Sequence, residues 1–350
     1  PTTLVVELPG EAVEAACVTD LDAIDEWIED WPALWLNITG LADRALIEAI
    51  GQRFGIHGLV LEDIVNVHQR PKFEPYDELA YIVTRMPLAA IESRKGEAVD
   101  TADTEQLSIV LGRGIVITLQ QHPGDCFDEV RTRIEAGRPR IRALGPAYLA
   151  YALLDAVVDS YFPVIEGVAE RIEMIEQRLM TDHPGDTMTE IYEVRQDLAA
   201  LRRLVWSQRS MLESLVRDDR FAGETAVYLR DVLDHANRQH DIIDTYRDLA
   251  AGVFDLWTSK ANVRTGEITR VLTVFASIFI PVTFVASVYG MNFVVLPGSE
   301  SAIGFWVLMG LMFVSVIGLL WFFRRKGWLT SIPSSVESKS SRSPNCEMDP

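Results

Sequence analysis

A carboxamide side chain in an otherwise uncharged stretch is the first candidate for chemistry. Asn292 follows Gly290 and Met291 within the segment VASVYGMNFVV, residues 285–295. Hydrocarbon offers a lone carboxamide no hydrogen-bond partner, so the side chain of Asn292 is expected to face water, protein or cargo. Its carbonyl oxygen carries no fixed charge and is suited to accept hydrogen bonds from the water shell of a hydrated cation.

Carboxylates recur at a regular spacing upstream of this motif. Asp234, Asp241, Asp248 and Asp255 lie seven residues apart, and Asp231 lies one turn before the first of them. Seven residues are nearly two helical turns, so these side chains are expected along one gently drifting helix face. The ordinary interpretation is a solvated face. In a parallel oligomer, however, each position becomes a ring of like charge that is costly unless cations neutralise it.

Two charge-free segments surround the amide. Residues 271–299 contain no Asp, Glu, Lys, Arg or His, Glu300 interrupts, and residues 301–323 are again free of charge. Crossing the hydrocarbon core of a bilayer takes about 20 apolar residues, so both segments predict membrane spans. The alternative is a pair of buried helices in the core of a soluble protein.

Basic residues flank the two predicted spans. Lys260, Arg264 and Arg270 precede the first span, and the run Arg-Arg-Lys at 324–326 follows the second. Basic flanks are retained in the cytoplasm, so we expect both termini inside, a short loop outside and a location in the plasma membrane. The apolar hairpin is C-terminal and is therefore not expected to be a secretory signal.

Composition and motifs narrow the function classes. The formal net charge of the 350 residues is −19, which argues against binding of nucleic acid. Neither GxxxxGK[ST] nor GxGxxG occurs. His57, Glu62, Asp63 and His68 lack the spacing of a zinc hydrolase motif, and the three cysteines form no metal-binding pattern. We therefore predict no enzyme, no catalytic residue and no organic cofactor.

The surrounding elements change character along the chain. Strand-like and helix-like segments alternate over the first ~150 residues, which indicates an α/β domain with a partly parallel sheet. Beyond Pro146 the pattern predicts one long amphipathic helix at 148–180, and the segment DHPGD at 182–186 predicts a loop between this helix and a second, antiparallel one. The predicted segments are a cytoplasmic α/β domain at 1–145, an antiparallel helical hairpin at 146–222, a stalk helix at 223–269, a first transmembrane and pore-lining helix at 270–290, an external loop at 291–301, a second transmembrane helix at 302–323, and a basic cytoplasmic end with a disordered tail at 324–350.

The stalk and the first span are predicted to form one continuous helix. From about Glu224 to Tyr289 the only proline is Pro281, and 66 residues of helix extend roughly 100 Å. A helix of that length is expected to need partners. The predicted packing seam consists of Leu229, Leu233, Ala236, His240, Ile243 and Ala250, which step by three, four or seven residues.

Three longer segments carry a resemblance to a known family. They are FGIHGLVLEDIVNVHQRPKFEPYDE at 54–78, LRDVLDHANRQHDIIDTYRDLAAGVFDLW at 229–257 and VLTVFASIFIPVTFVASVYGMNF at 271–293. Together they resemble the CorA family of divalent-cation channels, in which YGMNF closes the first of two C-terminal spans. The likeness covers about residues 50–329.

The resemblance implies a homopentameric funnel with cytoplasmic α/β domains, stalk helices and one central pore lined by the first span. It implies Mg²⁺ as the usual cargo, with Co²⁺ and Ni²⁺ also carried. Transport would be driven by membrane potential and gated by cytoplasmic Mg²⁺. A ring of Asn292 would form the external mouth of the pore, with Gly290 and Met291 shaping the turn.

The resemblance also implies roles for residues further along the pore and stalk. Thr283 would give a polar ring lower in the pore, and Leu272 and Ile280 would lie at the hydrophobic constriction. Asp255 would be a carboxylate ring at the inner entrance. Asp231 falls at an acidic position of a regulatory metal site between subunits.

Several positions depart from the family pattern. Gly266 replaces an asparagine near the cytoplasmic end of the pore, and Ile280 and Thr269 stand at constriction positions, the first of which is often a methionine in the family. The partner carboxylate of the regulatory site falls near Ala90, with Glu92 as a substitute, and the external loop keeps only Glu300. Two alternatives remain, namely a zinc transporter of the ZntB branch and a non-conducting, membrane-anchored Mg²⁺ sensor or scaffold.

Overall fold

The computed structural model describes residues 3–7, 16–17, 34–88, 103–136, 139–181, 187–291 and 302–328. The chain divides into two compact units, Pro1–Trp257 and Thr258–Pro350. The first unit contains the sheet and most of the helices, and the second contains the charge-free segments.

The first unit is built on a seven-stranded sheet with the strand order β2-β1-β3-β7-β6-β5-β4. The parallel pair is β3 with β7, and the other neighbouring strands are antiparallel. The predicted α/β domain with a partly parallel sheet is therefore confirmed. The strands are β1 Thr3–Glu7, β2 Ala16–Cys17, β3 Leu34–Thr39, β4 Lys72–Pro75, β5 Ala80–Pro87, β6 Thr104–Leu111 and β7 Ile115–Gln120.

The central strands are buried on both faces because apolar residues occupy successive positions. Side chains of a strand alternate between faces. Ile82 and Ile109 accordingly contribute to the larger core, whereas Tyr81 and Val110 contribute to the smaller one on the opposite face.

Helices cover the sheet and then continue beyond it. The helices are α1 Arg44–Phe54, α2 Gly58–Val65, α3 Asp128–Glu135, α4 Pro139–Asp159, α5 Tyr161–Met180, α6 Thr187–Leu215, α7 Glu224–Tyr289 and α8 Ala302–Arg325, with a short 3₁₀ helix at Asp219–Phe221.

The long helix predicted beyond Pro146 is two helices rather than one. Gly145 adopts a left-handed φ of 69° that a glycine tolerates best, and the regular part of α4 follows it. α4 ends at Asp159 and α5 begins at Tyr161, since Pro163 in the first turn of α5 has no N–H for a helical bond.

α5 and α6 form the predicted antiparallel hairpin. The guanidinium group of Arg178 pairs with Glu190 near the hairpin end, and Arg171 Nη1 lies 2.6 Å from Asp197 Oδ2 further from it. From the first ion pair to the second, the residue number falls along α5 and rises along α6, so the two helices are antiparallel. The predicted loop at 182–186 lies outside the described residues.

α7 has the predicted bounds and is unbroken at Pro281. Within the first unit its seam is buried in the chain's own core, where Leu229, Ala236 and Ile243 are fully enclosed. α4 and neighbouring elements of the same chain bury this part of the helix, so the expected need for partners concerns the exposed part beyond Trp257, where Leu272 is 67% and Ile280 is 65% exposed. The heptad aspartates lie on the solvent side, and all four are exposed.

Candidate cation path and acidic cluster

Three helical segments among the described residues are long and apolar enough to cross a membrane: Leu144–Met180, Glu224–Tyr289 and Ile303–Arg325. The most apolar window of the first is 67% buried inside the protein, whereas those of the other two are 6% and 0% buried. The alternative of two helices buried in a soluble core is therefore wrong. The apolar surfaces of the second unit are open and suited to lipid or to other copies of the chain.

The first of these open segments, in α7, ends at the glycine of the Gly-Met-Asn motif. Gly290 N donates a hydrogen bond to Ala286 O at 2.9 Å, and Met291 N reaches Val288 O at 3.4 Å. A Cβ at position 290 would lie 3.3 Å from Ala286 O, so the chain turns closely here and a side chain would crowd the last helical turn. Asn292 lies outside the described residues.

The remaining pore candidates share one helix face. At about 100° per residue, Leu272, Ile280 and Thr283 fall within roughly 80° of one another around the axis of α7. Among the described residues this face is left open, since Leu272 is 67% and Ile280 is 65% exposed. Thr283 is exposed as well. Gly290 and Thr269 fall in the same sector, so these five residues share one side of the helix and its C-terminal turn.

The two carboxylates predicted to bind metal are separate from each other. Asp231 and Asp255 are both exposed on α7. Twenty-four residues of α-helix separate them by about 36 Å at 1.5 Å per residue. They therefore cannot share one ion, and each needs its own ligands.

Asp231 lies beside an acidic cluster that the sequence did not indicate. The ligand atoms of Asp155, Asp159 and His235 all lie within 4.8 Å of one another. His235 Nδ1 is 2.9 Å from Asp159 Oδ1, and Arg133 Nη1 is 3.7 Å from Asp155 Oδ2. Two carboxylates and an imidazole are a donor set that suits divalent ions such as Co²⁺ and Zn²⁺, and the carboxylates alone suit Mg²⁺.

Burial makes the charge of Asp155 costly. Desolvation raises the pKa of its carboxyl to about 6, and the neighbouring negative charges of Asp159 and Asp231 act in the same direction. Arg133 and His235 offset part of the effect. A cation at this cluster would compensate the same penalty.

Packing between α4 and α7 creates this cluster. Asp155 and Asp159 are one turn apart on α4, and Asp231 and His235 are one turn apart on α7. The buried amide of Gln239 fixes the two helices together, because its Nε2 donates to Val158 O at 2.6 Å. The sequence shows the i, i+4 spacing on each helix, but it does not predict that the two helices pack against each other.

Two of the four residues considered for zinc hydrolysis, His57 and Asp63, make structural contacts. His57 Nδ1 caps α2 by accepting a hydrogen bond from Leu59 N at 3.2 Å. Asp63 Oδ2 accepts from Lys72 Nζ at 2.6 Å. These contacts give His57 and Asp63 structural roles.

Comparison with known proteins gives the family. The model of the CorA-like Mg²⁺ transporter protein family matches residues 33–325. The chain belongs to the CorA family. The CorA family consists of membrane transporters of divalent cations, and this chain is therefore such a transporter. A curated relative, the cobalt/magnesium transport protein CorA of Thermotoga maritima, is 36% identical over 313 residues, which cover 89% of this chain and 88% of the relative.

Solved structures support the same fold. The complete CorA magnesium transporter of Methanocaldococcus jannaschii matches with a TM-score of 0.77 at 21% identity, over 93% of this chain and 98% of that one. The cytoplasmic domain of ZntB from Vibrio parahaemolyticus matches with a TM-score of 0.55 at 13% identity, over 66% of this chain and 88% of that one. Both likenesses concern the fold.

Proposed function

We propose that this CorA-family chain is a homopentameric channel that conducts Mg²⁺, and also Co²⁺ and Ni²⁺, into the cytoplasm. The observation that carries the proposal is the open face of α7 that ends at the Gly-Met-Asn motif. It is supported by the 36% identity to a relative named as a cobalt/magnesium transport protein.

A ring of five Asn292 carboxamides would select the ion at the external mouth. Mg²⁺ dehydrates reluctantly and prefers octahedral oxygen coordination. Carboxamide oxygens can accept hydrogen bonds from the water shell of the ion, so the cost of stripping that shell is avoided. A carboxylate ring would hold the ion more tightly, whereas conduction requires release as well as binding.

Below the mouth, Thr283 would continue the polar contacts and Leu272 with Ile280 would form the constriction. Asp255 would attract cations at the inner entrance. The membrane potential supplies the driving force, which is about 4.6 kcal/mol for a double charge at 100 mV.

The proposed segments follow the sequence boundaries, with the stalk at 223–269 and the spans at 270–290 and 302–323. Basic residues at 324–326 and before the first span favour both termini in the cytoplasm of a cell whose plasma membrane holds the protein. Protease added to inside-out vesicles should digest the first unit, and protease added to right-side-out vesicles should leave it intact.

Cytoplasmic Mg²⁺ would regulate the channel through acidic sites on the stalk. Asp231, Asp255 and the cluster of Asp155, Asp159 and His235 are the candidates. Bound cations would relieve repulsion and favour a closed, symmetric assembly, whereas empty sites would loosen the stalk.

Flux into proteoliposomes tests conduction. Wild-type protein should pass Mg²⁺, Co²⁺ and Ni²⁺ when a negative internal potential is applied. Asn292→Ala should abolish the flux and leave assembly intact, and Asn66→Ala, which removes an exposed amide from the first unit, should leave it unchanged. Wild-type flux in Asn292→Ala would show that another ring selects the ion.

The same assay decides between the alternatives. Zinc flux with little Mg²⁺ flux would favour the ZntB branch, for which the likeness of the cytoplasmic fold and the imidazole of His235 are the supporting observations. A correctly assembled protein that passes none of the four ions would favour the sensor or scaffold.

Mass measurement in mild detergent tests the assembly. The expected species has five copies of a 39.2 kDa chain. A single monomeric or dimeric species would exclude a central pore lined by five spans.

Limited proteolysis tests regulation. Millimolar Mg²⁺ should protect the stalk, and a chelator should expose it, because a ligand that prefers the closed state stabilises that state. Asp231→Asn should weaken the Mg²⁺ dependence, and Asp77→Asn, an exposed position in a turn, should not. Identical digestion of wild-type protein with Mg²⁺ and with chelator would exclude the regulatory site but not the Asn292 filter.

A further inference from the structure

A cavity of about 590 Å³ lies within the first unit, between the sheet domain and α6. It is bounded by the loop 68–71 before β4, by Arg85 of β5, and by residues between 200 and 207 of α6. Its size is that of a small-molecule site and far exceeds the room that a single water needs. No pore or metal candidate lines this cavity, so the proposed function leaves it unexplained.

The charges around the cavity are all of one sign. Arg70, Arg85, Arg202 and Arg203 line it together with His68, and no acidic side chain lines it among the described residues. The chain as a whole carries a formal charge of −19. A concave basic surface concentrates anions locally, and this one reverses the sign of the surrounding protein.

Most of this positive charge is not neutralised by the protein. Arg202 Nε lies 2.7 Å from Asp244 Oδ1 and forms an ion pair. By contrast, Arg70 and Arg203 have no carboxylate within 4 Å in the part of the chain that the structure describes. Two guanidinium groups therefore remain for an external anion, and Arg85 lies beside them.

Arg85 places a third, half-buried cation in the cavity wall. Its Nε and Nη2 donate to Thr104 Oγ1 and Thr104 O, each at 2.7 Å, and its Nη1 donates to Val67 O at 3.2 Å. All of these acceptors are neutral. Burial lowers the pKa of Arg85, and the charges of Tyr161 and Glu105 offset only part of that effect.

The loop that bears Arg70 is held in place before any ligand arrives. Gln69 N donates to Gln106 Oε1 at 2.9 Å, and Gln69 Nε2 donates to Asp63 Oδ1 at 2.8 Å. Arg85 Nη1 also reaches Gln69 O at 3.3 Å. A preformed loop lowers the ordering cost of binding.

An aromatic side chain stands at the same cavity. Trp206 lies one turn beyond Arg202 and Arg203 on α6, lines the cavity, and is 59% exposed. An exposed indole face beside guanidinium groups is suited to stack on a planar base, and such stacking accepts any base. Basic side chains alone would suit inorganic phosphates, whereas the indole adds a surface for an aromatic ring.

We propose that this cavity binds a nucleoside polyphosphate, with the phosphates on Arg70, Arg85 and Arg203 and the base on Trp206. Such a ligand would join the loop before β4 to α6 and so tie the sheet domain to the helical hairpin. The proposal goes beyond cation conduction and does not depend on it.

Calorimetric titration of the full chain in detergent tests the site. The probes are ATP, inorganic tripolyphosphate and adenosine, in a low-salt buffer that contains a chelator so that the proposed cation sites are empty. ATP should bind more tightly than tripolyphosphate, and adenosine should bind most weakly. ATP should also raise the temperature of thermal unfolding, since a ligand of the folded state stabilises that state.

Substitutions test the contacts to the phosphates and the contact to the base separately. Arg70→Ala combined with Arg203→Ala should weaken ATP and tripolyphosphate alike, by tenfold or more. Trp206→Ala should weaken ATP by about tenfold and leave tripolyphosphate unchanged, and Trp206→Phe should restore most of the loss. Arg217→Ala is the matched control, because Arg217 is an exposed arginine just beyond α6 that does not line the cavity.

Three outcomes would overturn the proposal. Equal binding of ATP and tripolyphosphate, unaffected by Trp206→Ala, would leave an inorganic phosphate site and exclude the nucleoside. Absence of binding by all three probes to a well-assembled wild-type protein would exclude the site. A change of oligomeric mass in the Arg70, Arg203 variant without any ATP binding would instead assign the basic surface to contacts between copies of the chain.

Discussion

Two apolar helical stretches of this protein have opposite surroundings. The most apolar window of Leu144–Met180 is 67% buried in the first unit, whereas none of that of Ile303–Arg325 is buried. Both satisfy the length and composition of a membrane span. The difference shows that hydropathy identifies candidates, and that packing within the chain decides which of them remain available to lipid.

The two stretches also differ in where their polar residues lie. α5 carries Glu166, Glu170 and Arg171 on one side, so its apolar stripe faces the core and its other face contacts water. α8 is apolar all round until Arg324 and Arg325 at its end. A helix without a polar face cannot expose any side to water favourably, whereas the hydrocarbon of a bilayer accommodates all of its sides.

Truncation of the chain between these two regions should have the largest effect, which is on solubility. A chain that ends at Trp257 should remain soluble in buffer without detergent, while the full chain should require detergent, because the open apolar windows lie beyond that boundary. Ultracentrifugation after detergent removal measures the difference. Pelleting of both chains would mean that the first unit also exposes a membrane-binding surface.

A matched pair of leucine substitutions should give the second-largest difference between the two regions, measured as the stability of the first unit. Leu153→Ala on α4 removes a side chain that is 0% exposed, so it should destabilise the first unit by about 2–5 kcal/mol. Leu311→Ala on α8, where the side chain is 63% exposed, should leave the unfolding temperature of that unit nearly unchanged. Thermal unfolding in detergent compares them, and equal shifts would contradict the difference in burial.

Asp155→Asn tests how completely α4 excludes water. The folded pKa of about 6 exceeds that of an unfolded aspartate, so the folded state binds the proton more tightly and loses stability as pH rises from about 4 to about 6. At pH 7.5 with chelator, Asp155→Asn should stabilise the protein by about 2 kcal/mol. At pH 4 the difference should vanish. A stabilisation that does not depend on pH would mean that the carboxyl is solvated.

Asp244→Asn should give the smallest effect. This partly exposed carboxylate receives hydrogen bonds from Arg247 and Arg202, which hold its pKa below the usual range. Its contribution is present at neutral pH and is lost as pH falls through that lowered pKa. Screening by solvent limits it to about 0.5 kcal/mol at neutral pH, and 0.5 M salt should reduce it further. A larger or salt-insensitive loss would indicate a buried network.

The sequence predicted the local elements well, because their signals are local. The bounds of α7, the alternation of strands and helices in the first domain and the two apolar segments all follow from periodicity and composition within one segment. The division of the 148–180 helix at Ser160 was missed, although Pro163 marks it, because the apolar spacing continues across the break.

The candidate site was predictable only where the family motif supplied it. The resemblance to the family supplied the roles expected of the Gly-Met-Asn motif and of Leu272, Ile280 and Thr283, and helical spacing then puts the last three on one face. The cluster of Asp155, Asp159 and His235 and the basic cavity beside Trp206 could not be predicted, because their members come from elements far apart in the sequence.

The sequence by itself determined which segments are helical, which are free of charge, and which family signature they carry, since these depend on neighbours within a few turns. Only the tertiary structure decided that α4 is a core helix and that the apolar seam of α7 is buried by its own chain. It likewise brought two aspartates of α4 to a histidine of α7, fixed by the 2.6 Å hydrogen bond from Gln239 to Val158. Side-chain packing between distant elements makes those choices, and periodicity along one helix carries no information about the partner that will meet it.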